Sequence, residues 1–346
     1  MSQPNPEHFN VHKAKADPKD FLLYRLAGID PKVSTGLTRN EIKRPYGFVS
    51  KDQLDRGTCT GQASAVANAL YQHKDRGVYV DPSAEFAWRM IKLNPKDQFP
   101  GTDGSDMRVA SETIAQYGTC PEDIMPYQES SIFPVQAPTE RQITIAYPNR
   151  MTAYARVSTL GEYKYAIDQQ LPVLFGLLMT ESLYKTQGGV FLFPEDGAQW
   201  IGGHAMVGDG YDDQFSTKEG YARVIGSWGK DPVYTDDGWH HIPYSYMFGR
   251  FDIGAWMMDA FTFTDLVETP PALNIVASNT PVTIRIEIAG SIVKFVKPVD
   301  ASPFISMAGH TYLPLRLMVE ELKGLIIEGI EWVAQDYTVV VYARKP

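Results

Sequence analysis

The chain has 346 residues, 44% apolar and 21% charged, the composition of a folded protein of about two domains, which excludes wholesale disorder. Its 32 basic and 41 acidic residues leave a net charge of −9, so the clustered positive charge of a nucleic-acid groove or of a protein bound to an anionic membrane is not expected. The longest apolar runs, such as Leu171–Met179, reach about half of the roughly 20 residues that cross a bilayer, and no membrane span is expected.

Residues 1–45 are polar and broken by Pro4, Pro6, Pro18, Pro31 and Pro45, with one amphipathic patch at Phe21, Leu22, Leu23, Tyr24 and Leu26. They are expected to form an arm or a short helix packed on the body. The first twenty residues lack the apolar core of a secretory signal. The chain is therefore expected to be made and kept in a reducing cytoplasm, unless lysis or a virion-like particle carries it out.

From Gln62 to His73 the small and apolar residues Ala63, Val66, Ala67 and Leu70 fall on one helical face, predicting a buried helix that begins just after Cys59. A second helix is predicted over Met107–Tyr117, stopped by Gly118. From Val173 onward the segments VLFGLLM, GVFLF, HAMVGDGYDD, YARVIGSWG, GWHHIP and GAWMMDAFTF, separated by Gly, Pro and Asp, predict antiparallel strands. Helices first and strands later is the order of an α+β protein. Glu268-Thr269-Pro270-Pro271 reads as a linker, since paired prolines stop both helix and ladder. The expected organisation is an arm (1–45), a main domain (46–266), a linker (267–281) and a C-terminal domain (282–346). In the last, strands are predicted over 282–288 and in TVVVYA, with a helix over PLRLMVEELKG.

Two cysteines, Cys59 and Cys120, allow at most one bridge and no cysteine-built zinc site. Cys59, two residues after Gly57, stands at the mouth of a buried helix, where the helix dipole and unpaired N–H groups favour a nucleophilic thiolate; a small buried cysteine is the alternative. Cys120 lies in a turn and is expected to be passive. The adjacent His240 and His241 would point to opposite faces of a strand and cannot chelate one metal, so a core or solvated role is expected for each. Asp212-Asp213 reads as a turn, and no metal or organic cofactor is expected.

The stretch DQLDRGTC, with Gln53 six residues before Cys59 and a helix after it, resembles the active-site segment of papain-like (C1) cysteine peptidases. The resemblance continues in that family's order through GSDMRVASETIAQYGTCPEDIMPY (104–127), YKTQGGVFLFPEDGAQWIGGHAMVGDGY (184–211), GSWG (226–229) and GWHHIPYSYM (238–247). It covers roughly 46–265, and the lack of a Trp after the nucleophile is closer to the low-disulfide bacterial branch. It implies a two-lobed α+β fold, a helical lobe beside an antiparallel β lobe. It also implies Cys59 as nucleophile, His204 as general base and acid, Gln53 as side-chain donor to the oxyanion, and Gly104, Ser105, Gly203 and Ala205 along the substrate cleft. Trp228 would shield the site. The family's orienting Asn falls on Gly226, which has no side chain to accept from the imidazole, so a slow enzyme is expected and Gly226→Asn is expected to raise its rate.

Residues 282–346, with MAGHTYLPLRLMVEELKG, resemble the small α+β stalk domain named for the N-terminal domain of copper amine oxidase, departing from it at His310. Copper is not implied. Arg316 would be anchored there by a carboxylate or carbonyl, and an assembly module or a passive packing lid is expected. The resemblances together imply a peptidase that hydrolyses a peptide or protein substrate through a thioester. The alternatives are a papain-like binding or structural protein without turnover in a multi-subunit assembly such as a phage particle, and a cell-wall peptide hydrolase. Burial of Cys59 would favour the non-hydrolytic alternative.

Overall fold

The computed structural model describes residues 5–249 except 16, 18–19, 29–35, 152 and 196, the strand Met257–Thr264, and the backbone of six strands between 283 and 344. The chain divides into two compact units, Met1–Glu268 and Thr269–Pro346.

The first unit opens with strand β1 (Val11–His12), helix α1 (Leu23–Ala27) and strand β2 (Arg39–Glu41). The amphipathic patch at 21–26 becomes α1 because Leu23 and Leu26 can both be buried on one face, and Gly28, with φ of 64°, ends it. Helix α2 (Cys59–Arg76) starts at Cys59 itself, three residues before the predicted start, and everything from Cys59 to Gln72 is buried. Helix α3 (Ala84–Lys92), capped by the Ser83 hydroxyl, packs on α2. Strand β3 (Ser105–Asp106) leads directly into helix α4 (Met107–Tyr117). There the Asp106 carboxylate accepts from the Arg108 and Val109 N–H groups, and Gly118 ends the helix as the sequence predicts. Helix α5 (Glu140–Ala146), strand β4 (Ala153–Arg156) and helix α6 (Leu160–Asp168) follow. A reciprocal Thr159–Glu162 capping box starts α6.

The strands β5 (Val173–Thr180), β6 (Trp200–Asp212), β7 (Tyr221–Ile225) and β8 (Trp239–Pro243), helix α7 (Tyr244–Phe248) and strand β9 (Met257–Thr264) complete this unit. The sheet runs β4-β9-β5-β6-β7-β8, with β2 added alongside β6, and all of these pairings are antiparallel. The expected strand GVFLF does not form as such. Val190 makes only isolated bridges, to Gln187 and to His241, because Gly188 and Gly189 turn the chain with positive φ. The helical layer and the sheet share one apolar core, into which α2, α4 and β5, β6 and β9 all contribute.

In the second unit, β10 (Thr283–Ile288), β11 (Ser291–Val296), β14 (Ile326–Val333) and β15 (Thr338–Arg344) form a sheet ordered β11-β10-β15-β14, while β12 (Ile305–Met307) pairs with β13 (His310–Tyr312). Strands β10 and β15 run parallel and the other pairs antiparallel. The linker 267–281, the helix expected over 314–324 and Arg316 lie outside the described residues.

Candidate active site

Cys59 is the first residue of α2, and its preceding loop is held from below. The Arg56 guanidinium is buried between the rings of Trp88 and Tyr127 and is paired with the buried carboxylate of Glu85 at 2.6 Å. It also donates to the Ser131 hydroxyl and the Gln128 carbonyl. The Gly57 N–H donates to Asp103, and the Thr58 hydroxyl pairs with the Tyr127 hydroxyl at 2.5 Å. These bonds to Arg56, Gly57 and Thr58 fix where the helix, and with it the thiol, begins.

Gln53 sits in the same loop with its side chain buried. The Ser227 hydroxyl donates to Gln53 Oε1 at 2.5 Å, and Gln53 Nε2 donates to the Arg56 carbonyl at 2.8 Å. These two bonds define which end of the amide is nitrogen. One Nε2 proton remains for a further acceptor. Ser227 was not singled out in the sequence, because only the fold brings the end of β7 beside residue 53 through the Gln53 N–H to Ser227 carbonyl bond at 2.9 Å.

His204 lies on β6, the strand that packs against α2. Its ring stacks on Trp228 with centroids 4.6 Å apart, so Trp228 covers the imidazole as a shield would. Gly226 lies under the ring of His240: a Cβ on Gly226 would overlap His240 Nε2. His240 is buried and meets Trp228 edge-on at 5.1 Å, whereas its neighbour His241 faces the other way, stacking on Phe215 and approaching Asp236 at 3.4 Å. An Asn at 226, which the sequence expects to raise the rate, would overlap His240 unless that ring moved aside.

The arm runs through this site. The Gly203 N–H donates to the Phe9 carbonyl at 3.2 Å, Asn10 bridges Gly203, and β1 then pairs in parallel with β3, Val11 opposite Ser105. A Cβ on Gly104 or Gly202 would overlap the carbonyl oxygen of Asn10 or Phe9, so only glycine permits this approach. The Phe9 ring packs edge-on against His204 at 5.5 Å and against Trp228 at 6.0 Å. Gly104, Ser105 and Gly203 therefore line a groove occupied by residues 9–12, while Ser105 turns its hydroxyl away to Asp97. The wall carrying Gly104 is braced by Lys92, whose ammonium is buried against Asp97 at 2.6 Å and donates to the Phe99 and Gly104 carbonyls.

Under the arm, Cys59 and His204 are both fully buried. Burial pushes the thiol up to about 11, against the smaller pull of the backbone N–H groups of Ala205, Asn10, Thr60 and Cys59 itself. Burial likewise lowers His204 to about 3, with the nearby His240 adding to the shift. Both shifts favour the neutral thiol and the neutral imidazole while the arm is in place, against the thiolate expected at a helix N-terminus. Desolvation of a charge outweighs a helix dipole worth about 0.3–1 kcal/mol. Cys120 is also buried and raised to about 12 by burial, consistent with a passive role.

No family model matches the sequence. It is 27% identical, over 267 residues covering 69% of this chain and 82% of the relative, to an uncharacterized peptidase C1-like protein of Acanthamoeba polyphaga mimivirus. Among solved structures it resembles xylellain, a cysteine protease from Xylella fastidiosa, with a TM-score of 0.60 and 21% identity over 76% of this chain and 98% of that one. It also resembles digestive procathepsin L 3 of the Tenebrio molitor larval midgut, with a TM-score of 0.54 and 18% identity over 75% of this chain and 77% of that one. The first unit therefore has the fold of the papain-like cysteine proteases, a helical region against an antiparallel sheet.

Proposed function

We propose that the first unit is a cysteine peptidase that hydrolyses peptide amides by the Cys–His thioester route, in a form closed by its own arm. The observation that supports this most directly is the groove between Gly104 and Gly203, which already holds an extended peptide backbone, residues 9–12, beside Cys59 and His204. A groove that seats one extended chain can seat another. In the open state the Cys59 thiolate attacks the substrate carbonyl, and the imidazolium of His204 returns its proton to the departing amine. Water then releases the acyl group from sulfur. The free proton on Gln53 Nε2, with the Cys59 backbone N–H, supplies donors for the tetrahedral oxyanion. The resemblance of residues 282–346 to a stalk domain supports an assembly role for the second unit.

A second reading, a papain-like protein that binds without turnover, is supported by the complete burial of Cys59. Hydrolysis of fluorescein-labelled casein and alkylation of Cys59 by iodoacetamide, each measured before and after mild proteolytic removal of the arm, separate the two. The peptidase reading expects casein turnover only after removal, abolished by Cys59→Ala and by His204→Ala, together with alkylation at a pH of about 5–6, well below the roughly 8.5 of a free thiol. A thiol that stays unreactive below pH 8 once the arm has gone establishes the binding reading instead.

A further inference from the structure

At the centre of the first unit neither ring nitrogen of His204 has a hydrogen-bond partner, and His240 meets only the Tyr234 backbone, outside normal hydrogen-bond geometry. Both rings are fully buried and touch the same indole, His204 across the face of Trp228 at 4.6 Å and His240 edge-on at 5.1 Å. Buried polar groups without partners are rare, and two such rings beside one candidate nucleophile call for a reason. The backbone supplies one. By the resemblance, Gly226 holds the position of the family's orienting Asn, and the space its Cβ would occupy is taken by His240 Nε2, with Cδ2 of the same ring 3.0 Å away. His240 reaches that space from β8, paired opposite Val224 of β7, and is held there by Phe191 packed edge-on at 5.2 Å.

We propose that His240 is a positioning residue for His204: its imidazole stands in for the side chain missing at 226 and accepts, across one water molecule, the His204 ring N–H that faces away from Cys59. A neutral imidazole has one acceptor nitrogen and can take this part as an amide carbonyl does. Accepting at one nitrogen of His204 keeps the lone pair of the other aimed at the thiol. Gly226 and His240 are then one device, in which the glycine exists to admit the histidine. The inference rests on the peptidase reading for its importance but not for its test.

The test compares the full chain as wild type, His240→Gln, which keeps an acceptor, His240→Phe, which keeps a ring and removes it, and His240→Ala with and without Gly226→Asn. The rate constant for iodoacetamide alkylation of Cys59 is the main readout. Hydrogen exchange of residues 9–12 measures arm opening separately, so that it can be divided out. The proposal expects His240→Phe to slow alkylation by about tenfold or more at equal arm opening, within the range that loss of a third triad member produces. It expects His240→Gln to stay within about threefold of wild type, and Gly226→Asn to restore His240→Ala while harming the wild type. Equal rates in wild type and His240→Phe, or equal slowing by Gln and Phe, would reduce His240 to packing and overturn the proposal. Should His240→Phe fail to fold, equal rates for His240→Ala and its Gly226→Asn double variant overturn it in the same way. If the ranking holds but no variant with the arm removed turns over fluorescein-casein, the positioning role stands and the peptidase reading fails. If wild-type Cys59 alkylates no faster than a free thiol once the arm has left, both fall.

Discussion

Ser227 shows how much a single hydroxyl can decide. It donates to Gln53 Oε1, and without it the amide has one fewer reason to present nitrogen rather than oxygen toward an incoming oxyanion. Ser227→Ala leaves a buried acceptor unpaired and is expected to cost about 1–3 kcal/mol of stability. In protein freed of its arm it should also lower kcat more than it raises KM, because an oxyanion donor acts only beyond the ground state. Steady-state kinetics on a peptide library and a denaturant melt check both parts; an unchanged kcat would show that Arg56 alone orients the amide. The sequence points to Gln53, Cys59 and His204 because they sit in short motifs that carry the resemblance, whereas it gives no such pointer to Ser227 or His240. Their partners are 174 residues away for Ser227 and on a different strand for His240, and no local pattern encodes such a meeting.

At the level of elements, the helix that carries Cys59 was legible from its run of small residues, and the strands β5 to β9 from their β-branched and aromatic content. The segment at 189–193 misled because its composition suits a strand while the two glycines before Val190 bend the backbone out of register. What positions the start of α2 is the ion pair of Arg56 with Glu85 of α3, each side chain 2% exposed. Arg56→Met would leave Glu85 with Arg89 as its remaining ion-pair partner, and breaking a buried pair typically costs about 3–5 kcal/mol. A fall in thermal midpoint well above that of the surface change Arg44→Met, each measured by calorimetry, is the expected result; equal effects would mean that the pair adds nothing.

At the scale of the whole molecule the arm lies along the groove beside Gly203 and Ser105. It is fastened at its root by Asp20, whose carboxylate accepts from Arg108 at 2.8 Å and from Arg156 at 2.9 Å. Burial alone would raise this carboxyl, but hydrogen bonds and charge from the two guanidinium groups prevail and hold it below the usual carboxylate range. A carboxylate depressed by folding contributes stability in full above its unfolded value of about 3.9 and loses it as pH falls through the folded value. Asp20→Asn should therefore lower the melting midpoint by roughly 3–10 °C at pH 6, taking about 1.5–3 kcal/mol for charged hydrogen bonds. The gap to wild type should close as the pH falls below about 4. A gap that does not change with pH would assign the loss to packing. The same change should speed alkylation of Cys59 at pH 7 by loosening the arm. By itself, the sequence determined the α+β class and the papain-like order of motifs, because composition, period and short motifs are properties of neighbours in the chain. Only the tertiary structure decided that Cys59 and His204 are buried, that the arm fills the groove beside them and that His240 stands where Gly226 has no side chain. Desolvation, occupancy of a cleft and contact across strands depend on what the folded chain brings together and shuts away from water.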